Sequence, residues 1–318
     1  MVERFVIQRA FAGADRPVML AVAGDSATGK TTLTAGLAQA LGPDRVTVLC
    51  ADDYHRYDRV ERVGLPFTPL HPDCNYIDIM EQHLQLLALG RPILKPVYDH
   101  CTGRLARPEL VEPTEFVIVE GLLPLHSRRT RACFDVSVYL DPPEDVRRSW
   151  KLTRDCRDRG HTPAQVLDEL QRREPESEAH VRPQRRHADI IVRFAPIAER
   201  GEDIDDPLSA TLLLRPTIRH PGLHSIVESL ATKAIHLKLV RDVDNRPVDA
   251  LHIHAYAPRE VAEQVERAIW AELVEPGPVP TALGALGDAE RSEPLALTQL
   301  LLLYHLEGAR TSRPTATV

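Results

Sequence analysis

Eight consecutive residues limit what this chain can become more than any other part of it. Gly24-Asp25-Ser26-Ala27-Thr28-Gly29-Lys30-Thr31 follows an apolar run at 18–23 and opens a segment with Leu33, Leu37, Ala38 and Leu41 on one helical face. Strand, glycine loop and helix in that order make a cradle whose backbone N–H groups converge on phosphate at the helix N-terminus. The Lys30 ammonium reaches the outer phosphate oxygens, and the Thr31 hydroxyl suits Mg²⁺. Gly24, Asp25, Ser26, Ala27, Thr28, Gly29, Lys30, Thr31 and Thr32 are therefore the expected nucleotide-binding residues.

The rest of the chain fits an α/β plan around that loop. Apolar runs at 46–49, 116–119, 136–140 and 189–194 alternate with helical patterns at 78–89, 143–157 and 162–173. This predicts a doubly wound P-loop NTPase sheet with helices on both faces. The acidic stretch 197–206 reads as a linker between a first domain, 1–196, and a smaller C-terminal α+β domain, 207–318. That second part has strands at 210–214, 235–240 and 251–255. A helix from Pro258 carries Val261, Val265 and Ile269 on one stripe, 276–293 reads as loop, and 295–306 as a last buried or interface helix.

Composition narrows the function. With 39 basic and 46 acidic side chains the net charge is −7, which argues against a general nucleic-acid binder. No run approaches the 18 apolar residues of a membrane helix and no secretory leader is visible, so the expectation is a cytoplasmic protein without a membrane partner. Five cysteines without a Cys-x-x-Cys spacing argue against a disulfide framework or zinc knuckle. Only five of the basic residues are Lys, and three of them are Lys30, Lys95 and Lys151.

The chemistry-bearing residues lie where strands end. Glu120 closes the run 116–119 and is placed to hold Mg²⁺ opposite the loop. Asp52 and Asp53 follow the second strand; one of them can take the proton of an acceptor alcohol, while His55 and Arg59 can hold an anionic group. Between 147 and 193 there are 12 basic against 8 acidic residues. On a helix there, Lys151, Arg154 and Asp155 share a face and can converge on a transferring phosphoryl group and its metal. No Asn-Lys-x-Asp base reader of GTPases occurs.

These pieces, with CADDYHRYDR, NYIDIM, KPVYDHCTG, VIVEGLLPL, KLTRDCRDRGHT, QRREP and PQRRHADIIV, make the chain resemble the phosphoribulokinase/uridine kinase family over about 18–196, closer to the plant and cyanobacterial phosphoribulokinases. The resemblance implies transfer of the ATP γ-phosphoryl to D-ribulose 5-phosphate, with Asp52 as base and Thr31, Glu120 and Asp155 at Mg²⁺. It further implies Lys151 and Arg154 on the moving phosphoryl, with His55, Arg59, Arg159, Arg172 and Arg173 holding the sugar phosphate near Tyr98 and His100. A homodimer is expected on the same ground. Thr28 stands where the plant type carries a loop cysteine, so Cys50 lacks that disulfide partner, and no plant-type thiol switching is expected; Cys50 is either a reactive or an inert buried thiol. A nucleoside kinase and a non-catalytic ATP-binding switch are the competing readings.

Overall fold

The computed structural model describes residues 16–230, 232–273, 277–286 and 290–312. The first residues of the chain and part of the 276–293 loop lie outside them. In chain order the elements are β1 (Val18–Gly24), α1 (Lys30–Leu41), β2 (Val46–Cys50), α2 (Ile77–Ala88), β3 (Ile93–Asp99), β4 (Arg104–Val111), β5 (Phe116–Gly121), α3 (Arg128–Ala132), β6 (Val136–Leu140), α4 (Glu144–Arg159), α5 (Pro163–Glu176) and β7 (Ile190–Ala195). They continue with β8 (Ser209–Leu214), α6 (Leu223–Glu228), β9 (Ile235–Arg241), β10 (Pro247–Ile253), α7 (Arg259–Trp270), the short pair β11 (Ala285–Leu286) and β12 (Glu290–Arg291), and α8 (Glu293–Thr311).

Eight strands form one sheet in the order β2-β5-β1-β6-β7-β8-β10-β9. The first five run parallel, and β8, β10 and β9 join antiparallel to their neighbours. β1 shows why both faces must be covered. Val18, Leu20 and Val22 belong to one apolar cluster with Leu33 and Leu37 of α1 and much of α8; Met19, Ala21 and Ala23 belong to another with Met80, Leu84 and Leu87 of α2. Side chains alternate across a strand, so a strand apolar throughout needs a layer on each side.

The segment 197–206 joins β7 to β8, which are direct neighbours with Ile190 opposite Leu214. One apolar cluster contains Val18, Leu212, Ile253 and Leu300 alike. The expected linker is thus a change in sequence character, while sheet and core run across it. The final helix is buried in this core through Leu300, Leu301, Leu302 and Leu303. The β3/β4 hairpin was not expected from the sequence. It stands apart from the main sheet as its own two-stranded ribbon, and residues 104–110 of β4 are exposed, so no apolar alternation announces it.

Candidate active site

The parallel strands β1, β2 and β5 end at the rim of one cleft, of about 790 Å³. Its lining runs from Ser26, Ala27, Lys30 and Thr31 past Asp52 and Glu120 to Arg59, Arg62, Tyr98 and His100, with Arg154, Asp155, Arg159, Arg172 and Arg173 closing one side. Every lining residue falls between 26 and 176, so the antiparallel strands β8, β9 and β10 of the main sheet supply core but no cleft side chain. Ligands of open α/β sheets sit beyond the carboxyl ends of parallel strands, and this cleft obeys that rule.

The loop is built from its own backbone. A Cβ on Gly24 would lie 2.8 Å from Thr28 Oγ1 and 2.9 Å from the Leu140 carbonyl oxygen, which leaves room only for hydrogen. Ala27 (φ 62°) and Gly29 (φ 88°) adopt left-handed conformations that turn the chain into α1. Lys30 Nζ donates to the carbonyls of Gly24 (3.0 Å) and Asp25 (2.7 Å). Burial lowers its pKa, against the opposing pull of Asp52, Glu120 and Asp25. Asp25 itself turns inward: its carboxylate accepts from the Ser26 amide at 2.6 Å and from the Ser177 hydroxyl, and lies 3.5 Å from Arg147. Ser177 opens a π-helical turn just after Pro175, where the proline has removed a helical donor. Thr32 is exposed and does not line the cleft.

Glu120 faces the loop. Its carboxylate accepts from Thr31 Oγ1 at 3.1 Å and from Thr34 Oγ1 at 3.2 Å, and burial raises its pKa despite Lys30. Hydroxyl and carboxylate oxygens together are the hard donors that Mg²⁺ takes, with phosphate oxygens completing its shell. Among the described residues no cluster of three or more His, Cys, Asp or Glu could hold a metal by itself.

The adjacent acids part company. Asp52 lines the cleft and accepts from the Leu122 amide at 2.9 Å; a Cβ on Gly121 would lie 3.0 Å from the same carboxylate oxygen. Asp53 points to the hairpin, where it pairs with the buried Lys95 and accepts from the Tyr98 amide at 3.1 Å. Cys50 lines the same wall, and burial with Asp52 and Asp53 nearby lifts its thiol far above the ordinary range, which leaves it in the inert form.

His55 is fixed in one tautomer. Asn75 Nδ2 donates to the carbonyls of Pro69 (3.0 Å) and His71 (2.8 Å), so Asn75 Oδ1 must accept from His55 Nδ1–H at 2.7 Å. Burial depresses the ring to about 4. At neutral pH His55 is uncharged and its Nε2 is an acceptor, where the sequence suggested a group for holding an anion. Arg59 Nη2 donates to the His100 carbonyl at 2.6 Å, and its amide donates to the Gly103 carbonyl at 2.6 Å. Arg62, which no sequence pattern marks, donates from Nη2 to the Tyr98 hydroxyl at 2.5 Å.

On α4, the cations gather on Asp155. Lys151 Nζ lies 2.7 Å, Arg154 Nε 2.8 Å and Arg159 Nη1 3.4 Å from its carboxylate. Although burial works the other way, these partners hold it at about 2. Lys151 also reaches Glu169 at 3.1 Å and is only 1% exposed; it lies behind Asp155 and is absent from the cleft wall. Arg154 faces the loop, with Nη2 3.2 Å from Ser26 Oγ. Arg173 pairs with Glu169 at 2.9 Å, and Arg172 is exposed at the rim. Glu176, at the end of α5, accepts from Thr68 and ties the loop over the cleft to that helix.

A parallel sheet whose first strand runs into a lysine-bearing phosphate loop, with a strand-end carboxylate on the loop threonine, defines an α/β protein that binds nucleotide phosphates. The model of the Phosphoribulokinase / Uridine kinase family matches residues 19–200, and the chain belongs to that family. It is 42% identical over 182 residues to the phosphoribulokinase of Synechocystis sp., covering 57% of this chain and 55% of that protein. To the chloroplastic phosphoribulokinase of Spinacia oleracea it is 33% identical over 196 residues, 56% of this chain and 49% of that one. The uridine kinase of Oceanobacillus iheyensis is 35% identical over 185 residues, 56% of this chain and 86% of that one. The chain thus spans about half the length of the curated phosphoribulokinases it matches. The structure of phosphoribulokinase from Rhodobacter spheroides shares the fold, with a TM-score of 0.56 at 15% identity over 76% of this chain and 91% of that one. No helix among the described residues is long and apolar enough to cross a membrane.

Proposed function

We propose that this protein is a kinase that moves the γ-phosphoryl of ATP, taken as its Mg²⁺ complex, to a hydroxyl of D-ribulose 5-phosphate, giving D-ribulose 1,5-bisphosphate. One observation carries the reading: Asp52 lines the same cleft as the phosphate loop and as a group of cations, Arg59, Arg62, Arg159 and Arg172, well separated in sequence from that loop. The relatives named phosphoribulokinase support the choice of acceptor.

The loop amides and Lys30 hold the triphosphate, and Arg154 meets charge on the phosphoryl in transit from the α4 side. Thr31 and Glu120 would hold Mg²⁺, which when bound neutralises charge on the outer phosphates. Asp155 is already gripped by three cations; its role is to fix Arg154 and Arg159, with Lys151 and Glu169 as its support, instead of ligating the metal. The Leu122 amide occupies Asp52 Oδ1 and leaves the other oxygen for the acceptor hydroxyl. As the new O–P bond forms and ADP leaves, Asp52 takes the hydroxyl proton. His55 Nε2, being an acceptor, suits a sugar hydroxyl.

An ADP-release assay tests this with ribulose 5-phosphate, ribulose, uridine and no acceptor in parallel. Turnover with ribulose 5-phosphate far above the other three is the expected result. Turnover with uridine alone assigns the chain to nucleoside phosphorylation, and acceptor-independent turnover assigns it to ATP hydrolysis or switching.

A further inference from the structure

Two buried residues outside the sequence motifs, Arg147 on α4 and Ser177 just after α5, reach the carboxylate of Asp25 beneath the phosphate loop. Their contacts centre on one peptide unit, the bond between Asp25 and Ser26. Its N–H, that of Ser26, donates to Asp25 Oδ1 at 2.6 Å. Its carbonyl, that of Asp25, accepts from Lys30 Nζ at 2.7 Å and from Thr28 Oγ1 at 3.0 Å. A peptide is planar, so the direction of its N–H fixes the direction of its C=O. The Asp25 carboxylate, by holding the N–H, therefore sets where the carbonyl under Lys30 points.

The carboxylate is fixed in turn from two helices. Its Oδ2 accepts from the Ser177 hydroxyl, and its Oδ1 lies 3.5 Å from Arg147 Nη1. Glu144 grips the same guanidinium through Nε at 2.8 Å and Nη2 at 2.7 Å, which leaves Nη1 for the loop, where it also donates to the Ser26 carbonyl at 3.4 Å. Asp25 is buried, so a bond lost there is not made good by bulk water, and an unsatisfied buried acceptor is costly. Ser177 opens the π-helical turn Ser177–Val181, and such irregular turns recur at functional sites. Neither Arg147, Ser177 nor Asp25 lines the cleft, so whatever they do for the nucleotide they do through the loop.

We propose that Ser177 and Arg147 are positioning residues for nucleotide binding, which act through the Asp25 carboxylate to set the plane of the Asp25–Ser26 peptide and with it the place of Lys30 against the outer phosphates. The inference rests on the ATP part of the reading above and is independent of the acceptor.

The test is calorimetric titration of the full chain with the Mg²⁺ complex of a non-hydrolysable ATP analogue, with thermal unfolding of the ligand-free protein measured alongside. Ser177→Ala should weaken analogue binding by about 10-fold, the lower end of the range for a hydrogen bond to a charged group, at a temperature where the variant is fully folded. Ser177→Thr, which keeps the hydroxyl, should restore most of that affinity. Asp25→Asn keeps an oxygen for the Ser26 amide and removes the charge that faces Arg147; it should weaken binding less than Ser177→Ala, and it carries the test should Ser177→Ala fail to fold. Wild-type affinity in the folded variants overturns the inference, whatever happens to their melting temperature, because a tie that serves the fold alone moves stability and leaves affinity in place. Equal weakening in Ser177→Ala and Ser177→Thr also overturns it, since the hydroxyl would then be irrelevant. A wild-type chain that does not bind the analogue removes the ATP reading and this inference with it.

Discussion

The two ends of the cleft are built on different principles. At the loop end, Lys30 rests on its own backbone carbonyls and Glu120 on the loop threonine, so a short contiguous stretch and one strand end complete the site. At the hairpin end, Arg59, Arg62, His55, Asn75, Tyr98 and Lys95 come from segments spread between positions 55 and 98, and a side ribbon holds them together through Asp53 and Arg59. The first end fits a polyphosphate common to many proteins; under the proposed function the second end would select the acceptor.

The largest expected effect lies between the two ends. Asp52→Asn should lower turnover by roughly 10² to 10⁴ with ATP binding kept, as measured by steady-state kinetics and analogue titration. Unchanged turnover would remove the base from that position. Its neighbour should behave oppositely. Asp53→Asn leaves the buried Lys95 without its ion partner and should cost about 3–5 kcal/mol in denaturant unfolding, with the ATP affinity of the folded fraction unaltered. If Asp53→Asn abolished turnover without loss of stability, the contrast between the two acids would fail.

Smaller effects sharpen the contrast. Iodoacetamide should modify the exposed Cys101 well before Cys50, as read by mass spectrometry of the labelled peptides, because burial and nearby carboxylates keep the Cys50 thiol protonated. The smallest effect concerns acid. His55 titrates near 4 in the fold and near 6.5 when exposed. As pH falls below about 6.5 the unfolded chain takes up that proton first, so stability drops down to about pH 4 and levels off beneath it. His55→Gln should flatten that part of the stability curve; an unchanged acid limb would mean that the ring is already charged in the fold.

Much of the loop end was legible in the sequence, because contiguous residues fix a phosphate loop through backbone geometry alone. The hairpin end was only partly legible. Asp52 and Asp53 are indistinguishable as neighbours in a chain, and only the buried Lys95 decides which one turns away. β3 and β4 escaped notice because Pro96 and Pro108 interrupt them and β4 exposes nearly every side chain. Lys151 and Asp155 share a helical face as expected, yet Glu169 of the next helix draws Lys151 away from the cleft. The three longer strands after 206 were readable one by one, whereas the short pair β11 and β12 lies in the stretch read as loop. The pairing of the three longer strands onto β7, which extends the main sheet to eight strands, depends on contacts no local pattern records.

The most direct test of the account is a crystal structure with Mg²⁺, a non-hydrolysable ATP analogue and ribulose 5-phosphate bound together. The account predicts the sugar's phosphate on Arg59 and Arg62, its acceptor hydroxyl within hydrogen-bond reach of Asp52, and the nucleotide tail on Lys30. A sugar phosphate seated elsewhere, with Asp52 touching only the Leu122 amide, would contradict it.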